Sequence, residues 1–218
     1  MVKYIVNFKR LIAATGFLFA ASFATQSLAI ETQAKLFILG DSLTAGYGLD
    51  DLADSFPNKL ANELTKMGKN VVVIGSGVSG DTSTSANERL LWALGDVKAE
   101  NIKYAIIELG ANDAFRGVSP AETKLALQAI IDKLAAQNIK TMLAGMLAPP
   151  NMGDEYEAEF SQIFIDLARE NELLFYPFFL KGVAGQLNLN QKDGIHPTPE
   201  GVDMIIVNIM PSILELIE

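Results

Sequence analysis

The stretch "FILGDSLTAGYG", residues 37–48, passes directly from an apolar run to an acid, a serine and a scatter of small residues. A run that is apolar throughout and stops at Gly40 reads as a buried strand leaving its sheet. Ser42 then stands either as the cap of a following helix or as a nucleophile exposed above the sheet edge. The rest of the chain decides what sheet this is. Similar runs recur: "KLFILG" (35–40) is followed by "NVVVIG" (70–75), "YAIIELG" (104–110), "KTMLAGM" (140–146) and "LLFYPF" (173–178). Each is nearly continuous in apolar residues rather than alternating, as expected of strands covered on both faces. Helix-like segments lie between them at 55–68, 82–95, 119–138 and 153–171. In the third, Leu125, Ile130, Ile131 and Leu134 fall near helical spacing. A last helix is expected from about 199, with Thr198 as cap, Pro199 in the first position, Glu200 at the positive end of the dipole, and Val202, Ile205, Ile206, Ile209 and Ile213 facing inward. Strand and helix alternate five times without a linker or internal repeat. That alternation predicts a three-layer α/β/α sandwich around a central five-stranded parallel sheet. Ligands of such sheets bind beyond the carboxyl ends of the strands.

The chain has 218 residues, half of them hydrophobic and 20% charged, an ordinary globular composition. Residues 1–29 carry Lys3, Lys9 and Arg10, then an apolar stretch from Leu11 to about Ala24, then Ser27-Leu28-Ala29. This is the layout of a secretory signal peptide cleaved after Ala29. The apolar part is short for a membrane span of roughly 20 residues and is diluted by Thr, Ser and Gln. Export to the periplasm or the medium is therefore expected, with residues 30–218 forming one domain and no stable membrane insertion after cleavage. Without the leader, 14 Lys and Arg face 26 Asp and Glu, a net charge of −12. So acidic a domain is a poor ligand for nucleic acid or an anionic membrane. There is no cysteine, which excludes a disulfide, a thiol nucleophile, a thiolate zinc site and an iron–sulfur cluster.

Three strand-like runs end in small and polar residues: "GDS" (40–42), "GSGVSGDTS" (75–83) and "GAND" (110–113). The fold brings these clusters to one sheet edge, and Gly40, Gly80 and Gly110 let the backbone turn sharply or approach a ligand closely. The chain holds a single histidine, His196, in "DGIHP" (193–197). A lone loop histidine is commonly a packing residue. Here Asp193, three residues earlier in a turn with Gly194, can fix the ring tautomer and leave the other nitrogen free as a base, while Pro197 separates the loop from the helix that follows. A serine hydroxyl needs such a base. An acyl-transfer intermediate also needs donors where its oxyanion forms, each contributing about 3 kcal/mol. The N–H groups of Ser42 and Gly80 and the amide of Asn112 are the candidates.

Taken together, "GDSL" (40–43), "SGD" (79–81), "GAND" (110–113) and "DGIHP" (193–197) resemble the four ordered blocks of the SGNH, or GDSL, hydrolase family. The similarity covers essentially the whole chain after the leader. "GDSLTAGYG", "SGDTS", "NDAFRG" and "KDGIHP" resemble most the branch of periplasmic thioesterases, lysophospholipases and arylesterases. The resemblance implies a flavodoxin-like α/β fold, with Ser42 as nucleophile, His196 as general base and then acid, and Asp193 as orienting carboxylate. It also implies an oxyanion hole from the N–H groups of Ser42 and Gly80 and Nδ2 of Asn112. It implies a serine esterase that hydrolyses small-molecule or lipid-like carboxylic esters, with thioesters and lysophospholipids as further substrates, and needs no cofactor or metal. Ala111 departs from the pattern, since relatives often carry a second glycine there; its methyl either narrows the acyl cleft or simply packs.

Other residues have blander roles open to them. Asp41 is expected to bond local amides, and Asp113 either forms a turn or supports the site. Asp81 and Thr82 are expected to cap a helix. The carboxylates of "DEYEAE" (154–159) read as a solvated helix face rather than a cation site, and "GSGVSGD" lacks the Lys-Ser/Thr of a phosphate loop. "MLAPPNMG" (146–153) is a candidate wall beside the nucleophile, with Met146, Leu147 and Met152 lining an acyl groove or packing the core. A carbohydrate O-acetylesterase using the same residues, and a non-catalytic binding protein on the same fold, are the competing functional readings.

Overall fold

The strands of this chain are short and apolar on both faces because helices cover both sides of their sheet. The computed structural model describes residues 33–96 and 101–218; the signal-peptide reading of residues 1–29 lies outside the described residues. Five strands form one sheet: β1 (Ala34–Gly40), β2 (Val71–Gly77), β3 (Ile102–Glu108), β4 (Lys140–Ala144) and β5 (Leu174–Tyr176). All pair in parallel in the order β2-β1-β3-β4-β5. The chain steps to one side of β1 to make β2 and to the other side to make β3, which opens a crevice at the carboxyl ends of β1 and β3. The longer helices are α2 (Phe56–Lys66), α3 (Ser83–Asp96), α5 (Pro120–Ala135), α6 (Asp154–Glu170) and α7 (Pro199–Ile217). Two short ones, α1 (Ser42–Ala45) and α4 (Ala111–Phe115), follow β1 and β3 directly. Helices α3, α5 and α6 pack side by side as one layer, and α2 and α7 as the other.

Leu36 to Leu39, Ile106, Ile107, Met142 and Leu143 are wholly buried, so the three central strands carry the core. The edge strand β2 is less covered, and Val72 is exposed. Thr198 caps α7, its Oγ1 accepting from Gly201 N–H at 3.2 Å, and Val202, Ile205, Ile206, Ile209 and Ile213 are buried as the periodicity predicts. Leu125 departs from its predicted inward place and is 72% exposed. The buried stripe of α5 is Thr123, Leu127, Ile130, Ile131 and Leu134. Leu125 lies two residues from both Thr123 and Leu127, about 200° round a helix of 3.6 residues per turn, so it faces solvent.

Candidate active site

The nucleophile loop is built by close backbone approach. A Cβ on Gly40 would collide with the side chains of Thr44 and Glu108, and one on Gly77 with the backbone of Asp41, Thr44 and Ala45. Glycine at both places lets the turn after β1 sit directly against the end of β2. Asp41, not Ser42, is the cap of α1: its Oδ1 accepts from Leu43 N–H at 2.9 Å. Ser42 is thereby the first helical residue, its side chain free for other work.

What it meets is the loop before α7. His196 Nε2 lies 2.9 Å from Ser42 Oγ, and His196 Nδ1 lies 2.7 Å from Asp193 Oδ2. The other carboxylate oxygen of Asp193 accepts from the N–H groups of Ile195 and His196 at 2.9 and 3.0 Å. Burial alone would raise the Asp193 carboxyl, but the bonds from the His196 ring and from those two N–H groups outweigh it and hold the pKa down to about 2. An ionised carboxylate accepts only, so Nδ1 carries the proton and Nε2 is left to accept from the serine hydroxyl. Two contacts hold His196 from other sides, one at its ring and one at its backbone. The Tyr47 ring lies 4.5 Å from the imidazole between centroids, and Gln191 N–H donates to the His196 carbonyl at 2.7 Å. Gln191 Nε2 also donates to the carbonyls of Tyr47 and Pro197, at 2.8 and 3.0 Å, tying the serine loop to the histidine loop.

Asn112 stands at the start of α4, where it lines the same cavity as Ser42 and His196. One Nδ2 hydrogen goes to Asp41 Oδ2 at 3.1 Å, which orients the amide and leaves its second hydrogen for a ligand. Gly80 has φ +87°, and its carbonyl accepts from Arg116 Nη2 at 2.8 Å. Its N–H makes no backbone bond among the described residues.

Sequence reasoning missed Arg89, which fixes this corner. From α3 its Nε donates to Asp81 Oδ2 at 2.5 Å and its Nη1 to Ser76 Oγ at 2.8 Å, while Nη2 donates to the carbonyls of Ser76 and Gly40 at 2.9 and 3.1 Å. One guanidinium thus joins the ends of β1 and β2 to the residue after Gly80. Its one-dimensional signal is faint: a single cation in the middle of α3, eight residues after Asp81. Asp113, whose two roles were left open, is fully buried and caps α3, with Oδ2 accepting from Ser83 N–H at 2.8 Å. Burial pushes its carboxyl up. Asp81 holds Ser85 Oγ at 3.0 Å besides Arg89, and Thr82 exchanges bonds with Ser85, so both act at the start of α3 as expected.

Glu108, the last residue of β3, is a second unpredicted feature. It is wholly buried beneath the nucleophile loop; Oε2 accepts from Thr44 Oγ1 at 2.7 Å, and Oε1 has no hydrogen-bond partner among the described residues. Burial first, and then the charge of Asp41, push its carboxyl well above the ordinary range. Asp41 itself is raised to about 6, again chiefly by burial, against the bonds it accepts from Leu43 and Asn112. Full enclosure and the neighbouring charge of Asp41 both favour the neutral form of Glu108.

Ser42, Ala111, Asn112 and His196 open on a cavity of about 670 Å³ whose walls are chiefly apolar: Leu43, Phe115, Met146, Leu147, Pro149, Phe178, Leu180 and Ile195. Leu147 and Ala111 are among the residues that line it. Met152 is not. The 3₁₀ turn Pro150–Met152 carries it away from the cavity toward Gly117 and a shallow surface depression beside Tyr156. Within "DEYEAE", Asp154, Glu155 and Glu159 are exposed as expected, but Glu157 lines the cavity.

The GDSL-like lipase/acylhydrolase family model matches residues 38–204. Esterase TesA of Pseudomonas aeruginosa is 34% identical over 193 residues, 88% of this chain and 92% of that protein. Thioesterase 1/protease 1/lysophospholipase L1 of Escherichia coli is 34% identical over 189 residues, 87% of this chain and 86% of the relative. Among solved structures, the psychrotrophic esterase EstA from Pseudoalteromonas sp., inhibited by monoethylphosphonate, superposes with a TM-score of 0.78 at 30% identity, over 84% of this chain and 98% of EstA. With all four sequence blocks inside the matched region and at one sheet edge, the chain belongs to the GDSL-like lipase/acylhydrolase family.

Proposed function

We propose that Ser42, His196 and Asp193 are the nucleophile, the base and the orienting carboxylate of this GDSL-family ester hydrolase, and that it acts on acyl chains longer than acetyl. His196 Nε2 takes the Ser42 proton as Oγ attacks the acyl carbonyl, then gives it to the departing alcohol or thiol; water repeats the sequence on the acyl-enzyme. The negative oxygen of each tetrahedral intermediate falls to the N–H groups of Ser42 and Gly80 and to the second Nδ2 hydrogen of Asn112. The observation that carries the reading is the unbroken chain from Ser42 Oγ to His196 Nε2 at 2.9 Å and from His196 Nδ1 to Asp193 Oδ2 at 2.7 Å. The apolar cavity of about 670 Å³ beside it favours acyl or aryl esters over acetylated sugars, whose hydroxyls need polar walls. Thioesters and lysophospholipids follow from the names of the relatives. The leader sequence supports an exported enzyme, and no helix among the described residues is long and apolar enough to cross a membrane.

The test is a panel of 4-nitrophenyl esters from acetate to laurate, acyl thioesters and a lysophospholipid, with Ser42→Ala as its partner. Turnover rising from acetate to the medium chains is expected, with a loss of at least about 10³-fold in Ser42→Ala and no labelling of that variant by a phosphonate. Hydrolysis persisting in Ser42→Ala would overturn the nucleophile, and activity confined to acetyl esters would favour the sugar acetylesterase.

A further inference from the structure

Helix α6 turns Phe160, Phe164 and Leu167 into the core, and the rings of Phe160 and Phe164 reach Gly110, the residue before Ala111 and Asn112. Glu157 lies three residues before Phe160 and seven before Phe164, one turn further along the same stripe. There it lines the cavity that holds Ser42 and His196. The helix dipole favours acids in this turn, but Asp154 and Glu155 already supply them from exposed positions. The dipole therefore gives no reason for a carboxylate on the inward face. Glu157 is half-buried, and its carboxylate has no hydrogen bond or ion pair among the described residues. Among the described residues no lysine or arginine lines the cavity, whereas Phe115 and Phe178 do. A partly covered carboxylate that has no partner and faces apolar walls is placed to receive an arriving cation.

We propose that Glu157 is a specificity-determining residue that receives a cationic group, a primary or quaternary ammonium, at the end of the substrate remote from the scissile ester. The proposal rests on the ester-hydrolase reading above. Phe115 and Phe178 line the same cavity and add aromatic surface that tolerates a cation, and the same carboxylate repels substrates with an anionic end.

Matched esters isolate the charge: trimethylammonium and tert-butyl termini have the same shape, and a carboxylate terminus reverses the sign. They are presented at the end of the acyl chain in one series and of the alcohol in another. The wild-type enzyme is expected to prefer the ammonium ester over its tert-butyl isostere by about three- to tenfold in kcat/KM at low ionic strength in one of the two series, with salt eroding the preference. The acidity of the whole domain attracts every cation, so the decisive number is the change in that ratio. Glu157→Gln brings it close to one, and Glu157→Lys inverts it toward the carboxylate ester. A ratio unchanged in Glu157→Gln, or a wild-type preference for the tert-butyl ester in both series, overturns the proposal while leaving the hydrolase intact. Calorimetric binding of hexyltrimethylammonium to Ser42→Ala, lost in Ser42→Ala/Glu157→Gln, reads the same contact without turnover and survives even if the ester-hydrolase reading fails.

Discussion

Asp193 is the residue on which the proton path turns, because both of its oxygens are engaged in different work. Oδ1 holds the local loop through two N–H groups, and Oδ2 holds the imidazole. In Asp193→Asn the side-chain oxygen keeps the backbone bonds and the amide nitrogen faces His196 Nδ1. An amide N–H can only donate, so Nδ1 becomes the acceptor and the proton moves to Nε2, where it points at Ser42 and blocks proton removal. The expected result is a fall in kcat of about 10²–10⁴-fold, with KM and the folded state little changed. Rate and thermal unfolding measured on the same sample check it; a parallel loss of fold would mean that the carboxylate chiefly holds the loop. The sequence carried this residue because a histidine and an acid three apart in a turn form a local pattern. Asp41 was legible only by half: its bond to Leu43 is local, whereas its bond to Asn112 spans 71 residues and belongs to the tertiary structure.

At the scale of elements, the same division holds. Strands and helices were readable from periodicity because burial on two faces or on one stripe leaves a regular trace. Leu125 and Met152 show a limit of another kind: apolar type alone does not say which side of a helix or turn a residue occupies. Arg89 shows what no periodicity carries, since the carbonyls of Gly40 and Ser76 leave no mark on residue identity. Its fork joins α3 to the ends of β1 and β2, and its pairing with the nearly buried Asp81 compensates that charge. Lysine keeps the charge but has no fork. Arg89→Lys is therefore expected to lower kcat by about tenfold, through a loosened Gly40–Ser42 turn and Gly80 loop, while costing little stability. Arg89→Ala leaves Asp81 unpaired and is expected to destabilise the fold by about 2–4 kcal/mol. Urea unfolding and steady-state kinetics on both variants separate the two roles, and equal kcat for Arg89→Lys and wild type would reduce Arg89 to a stabilising ion pair.

For the molecule as a whole, the buried carboxylates make stability depend on pH. Glu108, Asp41 and Asp113 are all raised in the folded state by burial, so the native protein binds protons that the unfolded chain releases. Between the ordinary carboxylate range near 4 and the raised values, stability must increase as pH falls. For Asp41, moved from 3.8 to about 6, the gain between neutrality and pH 4 is at most about 2–3 kcal/mol. Asp193 works in the opposite direction, but its window lies between about 4 and 2, below the range in question. Partial neutralisation of an acidic domain adds to the gain by relieving self-repulsion. Scanning calorimetry is thus expected to give a Tm about 4–8 °C higher at pH 4.5 than at pH 7.5. Asp41→Asn should flatten the rise between pH 4 and 6, and Glu108→Gln should reduce it further. A Tm that falls steadily from pH 7.5 to 4.5 in the wild-type protein would mean that these carboxylates are ionised and compensated where they stand, and the neutral state assigned to Glu108 would have to be abandoned.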